Sequence, residues 1–317
     1  MADLVLLMAR DGEELRERVR SVSGYIEMVS REQLEKDDSL WERIGATYGW
    51  MKAEEVAKAP NLKWIQITSA GVGALLTPEI KASDLVITNV SGIHAAPIAE
   101  QMFGMVLVVT RCLHQAWQAQ QKHQWGRDDF GSRVTLLAGK TLGILGVGAI
   151  GGYAAGLGKA FGMTVVGLRH SKKPHPDVET MYGDDERAEF LGRCDVVMSV
   201  LPSTDATRGW MGEAEFAAIK QGAIFVNTGR GTTVKTDALI ASLQSGHLGA
   251  ACLDVTDPEP LPADHPLWTT PNVYITPHTS GGRPDYGERA DDIFLNNLRL
   301  FLDGKELDNV VNKEAGY

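Results

Sequence analysis

The chain has 317 residues, 44% of them hydrophobic and 23% charged, with a formal net charge of −10. That length exceeds the ~250–300 residues at which single cores stop growing, so two domains are expected, with the composition of an ordinary globular protein. The acidic balance argues against a nucleic-acid partner or an anionic membrane surface, and no apolar run reaches the ~20 residues of a spanning helix.

From the N-terminus, Met1–Leu7 lacks a basic n-region and meets acidic residues early, so it reads as the start of a first strand, Leu4–Ala9, not as a signal peptide. Further short strands are predicted at Ile44–Tyr48, Lys63–Thr68 and Leu85–Val90, with helical stretches between them, notably Ala53–Ala59. Alternating strand and helix imply parallel βαβ units. One long helix is predicted from about His94 to His123, with Pro97 and Glu100 in its first turns as a helix N-terminus prefers. Strand Thr141–Val147 and a small-residue helix to Phe161 open the second half. Strands Thr164–Leu168, Asp195–Leu201, Ala223–Asn227, Ala250–Val255 and Val273–Thr276 follow. A last helix, about Pro284–Leu302, carries Ile293, Leu295, Leu298, Leu300 and Phe301 on one side, and the tail Leu307–Val311 returns to the first domain. The domains divide as 1–95 plus 284–317, and 96–283. Cys112, Cys194 and Cys252 lie apart in apolar contexts with no CxxC spacing, as buried thiols of a reducing compartment do, so the cytoplasm is expected.

Gly146-Val147-Gly148-Ala149-Ile150-Gly151 satisfies GxGxxG between a predicted strand and a predicted helix, the context a dinucleotide site requires. Gly146 permits the tight turn, Gly148 the approach of backbone to pyrophosphate, and Gly151 close packing of helix on strand; the helix N-terminus adds N–H donors. NAD sites usually carry an acid about 20 residues past the first glycine. Here that region is Gly167-Leu168-Arg169-His170-Ser171-Lys172-Lys173, with no carboxylate before Asp177. Arg169, Ser171 and Lys172 suit a 2′-phosphate, so NADP(H) is the expected cofactor, with NAD(H) possible; read alone, the segment is a solvated basic loop.

Three polar residues in Gly/Pro-rich settings suggest the chemistry: Arg230 in Thr228-Gly229-Arg230-Gly231, Glu259 in Asp257-Pro258-Glu259-Pro260, and His278 in Thr276-Pro277-His278-Thr279. A planar guanidinium matches a carboxylate bidentately and can polarise an adjacent keto oxygen. A histidine's unperturbed pKa, about 6.5, suits donating a proton to that oxygen, and a paired glutamate would stabilise the imidazolium. Read alone, Glu259 is a turn carboxylate, and the other seven histidines are ordinary surface or core residues. No cluster has metal-ligand spacing, so no metal is expected.

With these residues in view, the chain resembles the D-isomer-specific 2-hydroxyacid dehydrogenase family over nearly its whole length. The stretches that carry the likeness are Ser69-Ala70-Gly71-Val72-Gly73, the glycine fingerprint, Leu201-Pro202, Asn227–Gly231, Leu253-Asp254-Val255, Asp257–Pro262 and Thr276-Pro277-His278. The resemblance implies an α/β fold of two Rossmann-like domains: a doubly wound parallel-sheet nucleotide-binding domain and a smaller flavodoxin-like substrate domain. It implies a small 2-keto or 2-hydroxy acid substrate bound by Arg230 and His278, a Glu259–His278 proton relay, and a substrate carboxylate cradled by the amides of Ala70, Gly71, Val72 and Gly73. Around the cofactor it places Gly146, Gly148, Ala149, Ile150, Gly151, Leu201, Pro202, Thr207, Thr228 and Gly229, with Asp254 on the nicotinamide carboxamide. A homodimer through the nucleotide domain is likewise implied. The absent acid after the second strand resembles the NADP-preferring branches, including glyoxylate/hydroxypyruvate reductases; Gly73 departs from the Asp of many members. Corepressors resembling this family, which work through partner binding, and NAD-linked D-lactate-type dehydrogenases are the alternatives.

Overall fold

The computed structural model describes residues 4–73, 75–125, 131, 133–314 and 316, so the first three residues of the N-terminal run lie outside the described residues. The chain forms two compact units, Met1–Ile93 with Pro284–Tyr317, and His94–Arg283, two residues earlier than the boundary expected at 95/96.

The first unit is a five-stranded sheet in the order β2-β1-β3-β4-β5. Its strands are β1 (Leu4–Met8), β2 (Ile26–Ser30), β3 (Ala46–Tyr48), β4 (Trp64–Gln66) and β5 (Val86–Thr88), all parallel. Every residue of β1 is buried, as a parallel strand with neighbours on both sides must be. Strand β2 was not predicted. It lies at the sheet edge, where Glu27 and Met28 remain half-exposed, so it lacks the apolar run of a central strand. Helices α1 (Glu13–Val22), α2 (Arg31–Lys36), α3 (Ala53–Lys58) and α4 (Pro78–Ala82) connect the strands. Trp41 belongs to the core of this unit, a packing role.

The second unit is a seven-stranded parallel sheet in the order β12-β11-β10-β9-β6-β7-β8. The strands are β6 (Thr141–Leu145), β7 (Thr164–Leu168), β8 (Thr180–Tyr182), β9 (Val196–Ser199), β10 (Ile224–Asn227), β11 (Ala250–Leu253) and β12 (Val273–Ile275). Strand β8 also escaped the sequence reading, being three residues long at the edge and only partly buried. The order reverses at β6, with β9 on one side and β7 on the other, and at such switch points open α/β sheets bind ligands beyond the carboxyl ends of their strands.

The single helix expected over His94–His123 is two: α5 (Ala95–Thr110) and α6 (Leu113–Gln121), bent by 65° across the break. Two contacts account for the stop. The Thr110 carbonyl is taken by the amide of Thr135 at 2.8 Å instead of by a following helical amide. The Thr110 hydroxyl donates back to the Val106 carbonyl at 3.0 Å, and Cys112 adopts a left-handed φ of 53°. Among the described residues no single helix is long and apolar enough to cross a membrane.

Helix α7 (Ala149–Ala160) lies on β6 through Gly151, Gly152, Ala154, Ala155 and Gly158, all buried. Helices α8 (Arg187–Arg193), α9 (Glu213–Ala218) and α10 (Thr236–Gln244) cover the other strands. Cys194 and Cys252 are buried, and burial pushes both thiols up to about 12, which makes them packing residues rather than nucleophiles.

The last helix, α11 (Tyr286–Leu302), belongs to the first unit. It buries Ala290, Phe294, Leu295, Asn297 and Leu298. Phe294, not among the residues expected on this side, is fully buried and stacks on Tyr48 with centroids 4.0 Å apart. Asn297 donates to Gln66 at 2.9 Å, a buried polar contact among these apolar residues. The tail reaches β5 through Val311 N–H to the Ile87 carbonyl at 2.8 Å.

Candidate active site

The glycine fingerprint forms the turn from β6 into α7, and its glycines differ in what confines them. Gly146 has φ +96°, a left-handed conformation costly for any side chain. A Cβ on Gly151 would fall 2.2 Å from the Gly146 carbonyl oxygen, so only glycine lets the helix start so close to its strand. At Gly148, by contrast, nothing lies within 4 Å of a Cβ. Its bare backbone faces open space, as a close approach by pyrophosphate requires, with Ala149 and Ile150 opening the helix behind it. Further along the same edge, a Cβ on Gly229 would sit 2.6 Å from the Leu201 carbonyl oxygen, so the loops after β9 and β10 touch backbone to backbone. Thr207 closes the first of these loops, its hydroxyl donating to the Pro202 carbonyl at 2.6 Å. The Thr228 hydroxyl is buried with no hydrogen-bond partner. Buried polar groups are rarely orphaned, so this hydroxyl and the open backbone at Gly148 fit a polar ligand lying along the edge, as a dinucleotide would.

The loop after β7 departs in part from expectation. Lys172 has φ +47°, and its side chain crosses Gly183, where a Cβ would meet Lys172 Cε at 2.1 Å. Its ammonium reaches Glu186 at 2.7 Å and Asp185 at 3.5 Å. The hydrogen bond to Glu186 is the largest influence holding this lysine above its ordinary range. Arg169 makes no ion pair among the described residues, and Ser171 is exposed. Arg169 and Lys173 are therefore the cations of the loop without an ion pair among the described residues, and Lys172 is already paired.

The three chemical residues stand at the carboxyl ends of three neighbouring strands. Arg230 follows β10, Glu259 follows β11 and His278 follows β12, so the outer two strands are separated by two strand spacings, roughly 10 Å. Arg230 is exposed between glycines for which the fold leaves no choice: a Cβ on Gly231 would fall 1.9 Å from the Thr256 carbonyl oxygen. Buried Asn227 fastens the turn, donating to the Arg230 carbonyl at 3.1 Å and accepting from the Gly229 amide at 3.1 Å. The guanidinium donates to the Gly229 carbonyl at 2.7 Å and has no carboxylate partner among the described residues. Glu259 Oε1 and His278 Nδ1 are in direct hydrogen-bond contact. The carboxylate can only accept from a donor nitrogen, so Nδ1 carries a proton.

Asp254 was expected at the nicotinamide carboxamide. Its side chain is 2% exposed and engaged with the turn that carries His278. Oδ1 accepts from the Thr276 hydroxyl at 2.5 Å and the Thr279 amide at 3.0 Å, and Oδ2 from the Ser280 amide at 3.0 Å. Burial pushes this carboxyl up, but the hydrogen bonds from Ser280, Thr276 and Thr279 outweigh it and hold it below the ordinary range, so it is ionised.

His94, read from sequence as an ordinary histidine, lies beside this apparatus. Its Nδ1 donates to the Gly281 carbonyl at 3.2 Å. Burial, against the pull of that hydrogen bond, and the charges of Arg283 and Arg230 hold it below its usual range, in the neutral form. No local pattern marks it; the chain brings together residues 187 apart.

In the first unit, the loop Ala70–Gly73 follows β4. The Ala70 carbonyl accepts from Asn89 at 2.9 Å and the Ser69 hydroxyl donates to the Gly71 carbonyl at 2.8 Å. Val72 anchors the loop in the core, and none of the four amides donates a hydrogen bond among the described residues. Those four amides are thus open to donate hydrogen bonds to a ligand's oxygen atoms. Gly73 has nothing within 4 Å of a Cβ, so the absence of the Asp common at this position leaves open space.

A glycine turn at the sheet's switch point, with an arginine and a His–Glu pair on the same edge, defines a nicotinamide-dependent oxidoreductase. The family model for the NAD-binding domain of D-isomer-specific 2-hydroxyacid dehydrogenases matches residues 103–280. The chain is 34% identical over 267 residues to a glyoxylate reductase of Aeropyrum pernix, covering 82% of this chain and 79% of that protein. Among solved structures it is similar to a D-isomer-specific 2-hydroxyacid dehydrogenase of Xanthobacter autotrophicus in complex with NADPH and MES, at 27% identity, full coverage of both chains and a TM-score of 0.83. It is also similar to an NADPH-dependent glyoxylate/hydroxypyruvate reductase of Sinorhizobium meliloti in complex with NADP and sulfate, at 28% identity, 99% coverage of each chain and a TM-score of 0.79. The chain belongs to the D-isomer-specific 2-hydroxyacid dehydrogenase family.

Proposed function

We propose that the protein reduces small 2-keto acids of the glyoxylate and hydroxypyruvate class to D-2-hydroxy acids, with NADPH as the preferred reductant. The observation that carries the reading is the placement of Arg230, Glu259 and His278 at the ends of adjacent strands, with Glu259 on His278 Nδ1. The names of the similar reductases support the substrate class. For the cofactor, the residues that would hold it are Gly146, Gly148, Ala149, Ile150 and Gly151 at the phosphates, Leu201, Pro202, Thr207, Thr228 and Gly229 along the edge, and Arg169 with Ser171 at a 2′-phosphate. Asp254 remains the residue we assign to the carboxamide end. When bound, the reduced nicotinamide supplies hydride to a carbonyl carbon. The residues do the rest. Arg230 binds the substrate carboxylate and polarises the keto oxygen. His278 delivers the proton on Nε2 to that oxygen, while Glu259 at Nδ1 stabilises the imidazolium. We assign the amides of Ala70, Gly71, Val72 and Gly73 to the carboxylate as well.

A panel of 2-keto acids assayed with NADPH and NADH tests this reading. Turnover of glyoxylate and hydroxypyruvate, with a clearly higher kcat/KM for NADPH that Arg169→Ala abolishes, is the expected result. Equal or better use of NADH refutes the preference. No turnover on any 2-keto acid, alongside tight dinucleotide binding, favours a nucleotide-sensing interaction protein of the corepressor type.

We further propose that two copies pair through the nucleotide-binding unit. That unit leaves the large apolar side chains of Trp117, Trp125 and Leu136 exposed at 55%, 94% and 68%. Sedimentation should give twice the 34.4 kDa chain mass; a monomer at micromolar concentration refutes the pairing.

A further inference from the structure

The turn carrying His278 is held by Asp254, already assigned to the carboxamide end, and by residues that no part of the proposed reaction uses. His278 itself has φ +53°, an unfavourable conformation for a residue with a Cβ, so the turn depends on its surroundings for its shape. Its own amide donates to the Asp254 carbonyl at 2.9 Å. The next two amides, of Thr279 and Ser280, close on the Asp254 carboxylate. Helix α5 and the residue before it grip the turn at both ends. His94 Nδ1 donates to the Gly281 carbonyl at 3.2 Å, and the Gln101 amide donates to the Thr276 hydroxyl at 3.3 Å. Residues 94 and 101 are seven apart, two helical turns, and so lie on one face.

Thr276 is the joint in this chain of bonds. Its hydroxyl has one proton and two candidate acceptors, Asp254 Oδ1 at 2.5 Å and the Met105 sulfur at 4.0 Å. An ionised carboxylate outbids a thioether, so the proton goes to Asp254. The hydroxyl's lone pairs are then left to accept from Gln101. The direction is fixed: Gln101 donates to Thr276, and Thr276 donates to Asp254. We propose that Thr276, braced by Gln101, is a positioning residue that orients Asp254 and through it fixes the turn presenting His278. This rests on the reading of His278 as the proton donor for its kinetic consequence, though not for its structural one.

A catalytic group displaced by about 1 Å can cost ~100-fold in rate. Thr276→Val keeps the shape of the side chain and removes the hydroxyl. In the full chain, it is expected to lower kcat for glyoxylate by about 10- to 100-fold, with the KM for glyoxylate within about twofold of wild type. Hydrogen exchange at the Thr279 and Ser280 amides is expected to quicken in parallel, and Thr276→Ser, which restores the hydroxyl, to recover both. Gln101→Leu, farther from the turn, should show the same pattern more weakly and serves if Thr276→Val does not fold. Unchanged exchange at 279 and 280 in these variants overturns the proposal, as does a fall in kcat that Thr276→Ser fails to rescue. If wild-type protein turned over no 2-keto acid, the functional reading would fail while the exchange comparison still decided whether Thr276 holds the turn.

Discussion

Replacing His278 with Asn is expected to lower kcat for glyoxylate reduction by about 10²–10⁴-fold, the range that a positioned general acid contributes. The KM for NADPH should change little, since the substitution leaves the glycine turn and the edge after β9 and β10 untouched. Asn preserves a donor toward Glu259 without a group that can surrender a proton and recover it, so the loss isolates proton transfer from packing. The His278 and Glu259 side chains are 50% and 39% exposed, where an ion pair contributes little, so the substitution should leave thermal stability near wild type. Stopped-flow measurement of a single turnover with NADPH checks the claim. A variant that reduces glyoxylate at close to the wild-type rate removes His278 from the reaction, and with it the chemical basis of the proposed function.

The glycine-bracketed parts of the site were legible in sequence because backbone crowding leaves other residues no room. Gly151 and Gly231 are excluded from carrying a side chain by carbonyl oxygens 2.2 and 1.9 Å from a Cβ, and the pattern they create is readable without coordinates. The central strands were legible for a related reason: strands buried on both faces are short unbroken apolar runs. The edge strands β2 and β8 were not, because an edge strand keeps polar residues and matches neither a buried run nor a clean alternation. The break between α5 and α6 was hidden because its causes lie at Thr135 and in the back-bond of Thr110. The same limit applies to the supports of the site. Gln101 and Thr276 are 175 positions apart, and Tyr48 and Phe294 stack across most of the chain. Sequence spacing shows which residues can do chemistry. It does not show which distant residues hold them still.

The second large effect falls on Arg230. Arg230→Ala is expected to reduce kcat/KM for glyoxylate by about 10²–10³-fold or more, since it removes a donor aimed where negative charge develops as well as the carboxylate's binding partner. The main-chain turn should survive: Asn227 and Thr233 hold the Arg230 carbonyl at 3.1 and 2.7 Å, and neither bond involves the guanidinium. The informative variant is Arg230→Lys. It keeps the charge but replaces a planar fork with a single ammonium, which cannot bind a carboxylate bidentately and polarise the neighbouring keto oxygen at once. If Arg230 does both, Lys should recover part of the KM and little of the kcat. If it served only as a positive charge in the field around His94 and Arg283, Lys would recover nearly all of both. Arg230→Lys would also leave the charge near His94 in place, so a difference between Lys and Ala confined to KM would identify electrostatic attraction as the dominant contribution. Equal, wild-type-like activity of Arg230→Ala and Arg230→Lys would mean that the substrate carboxylate is bound elsewhere.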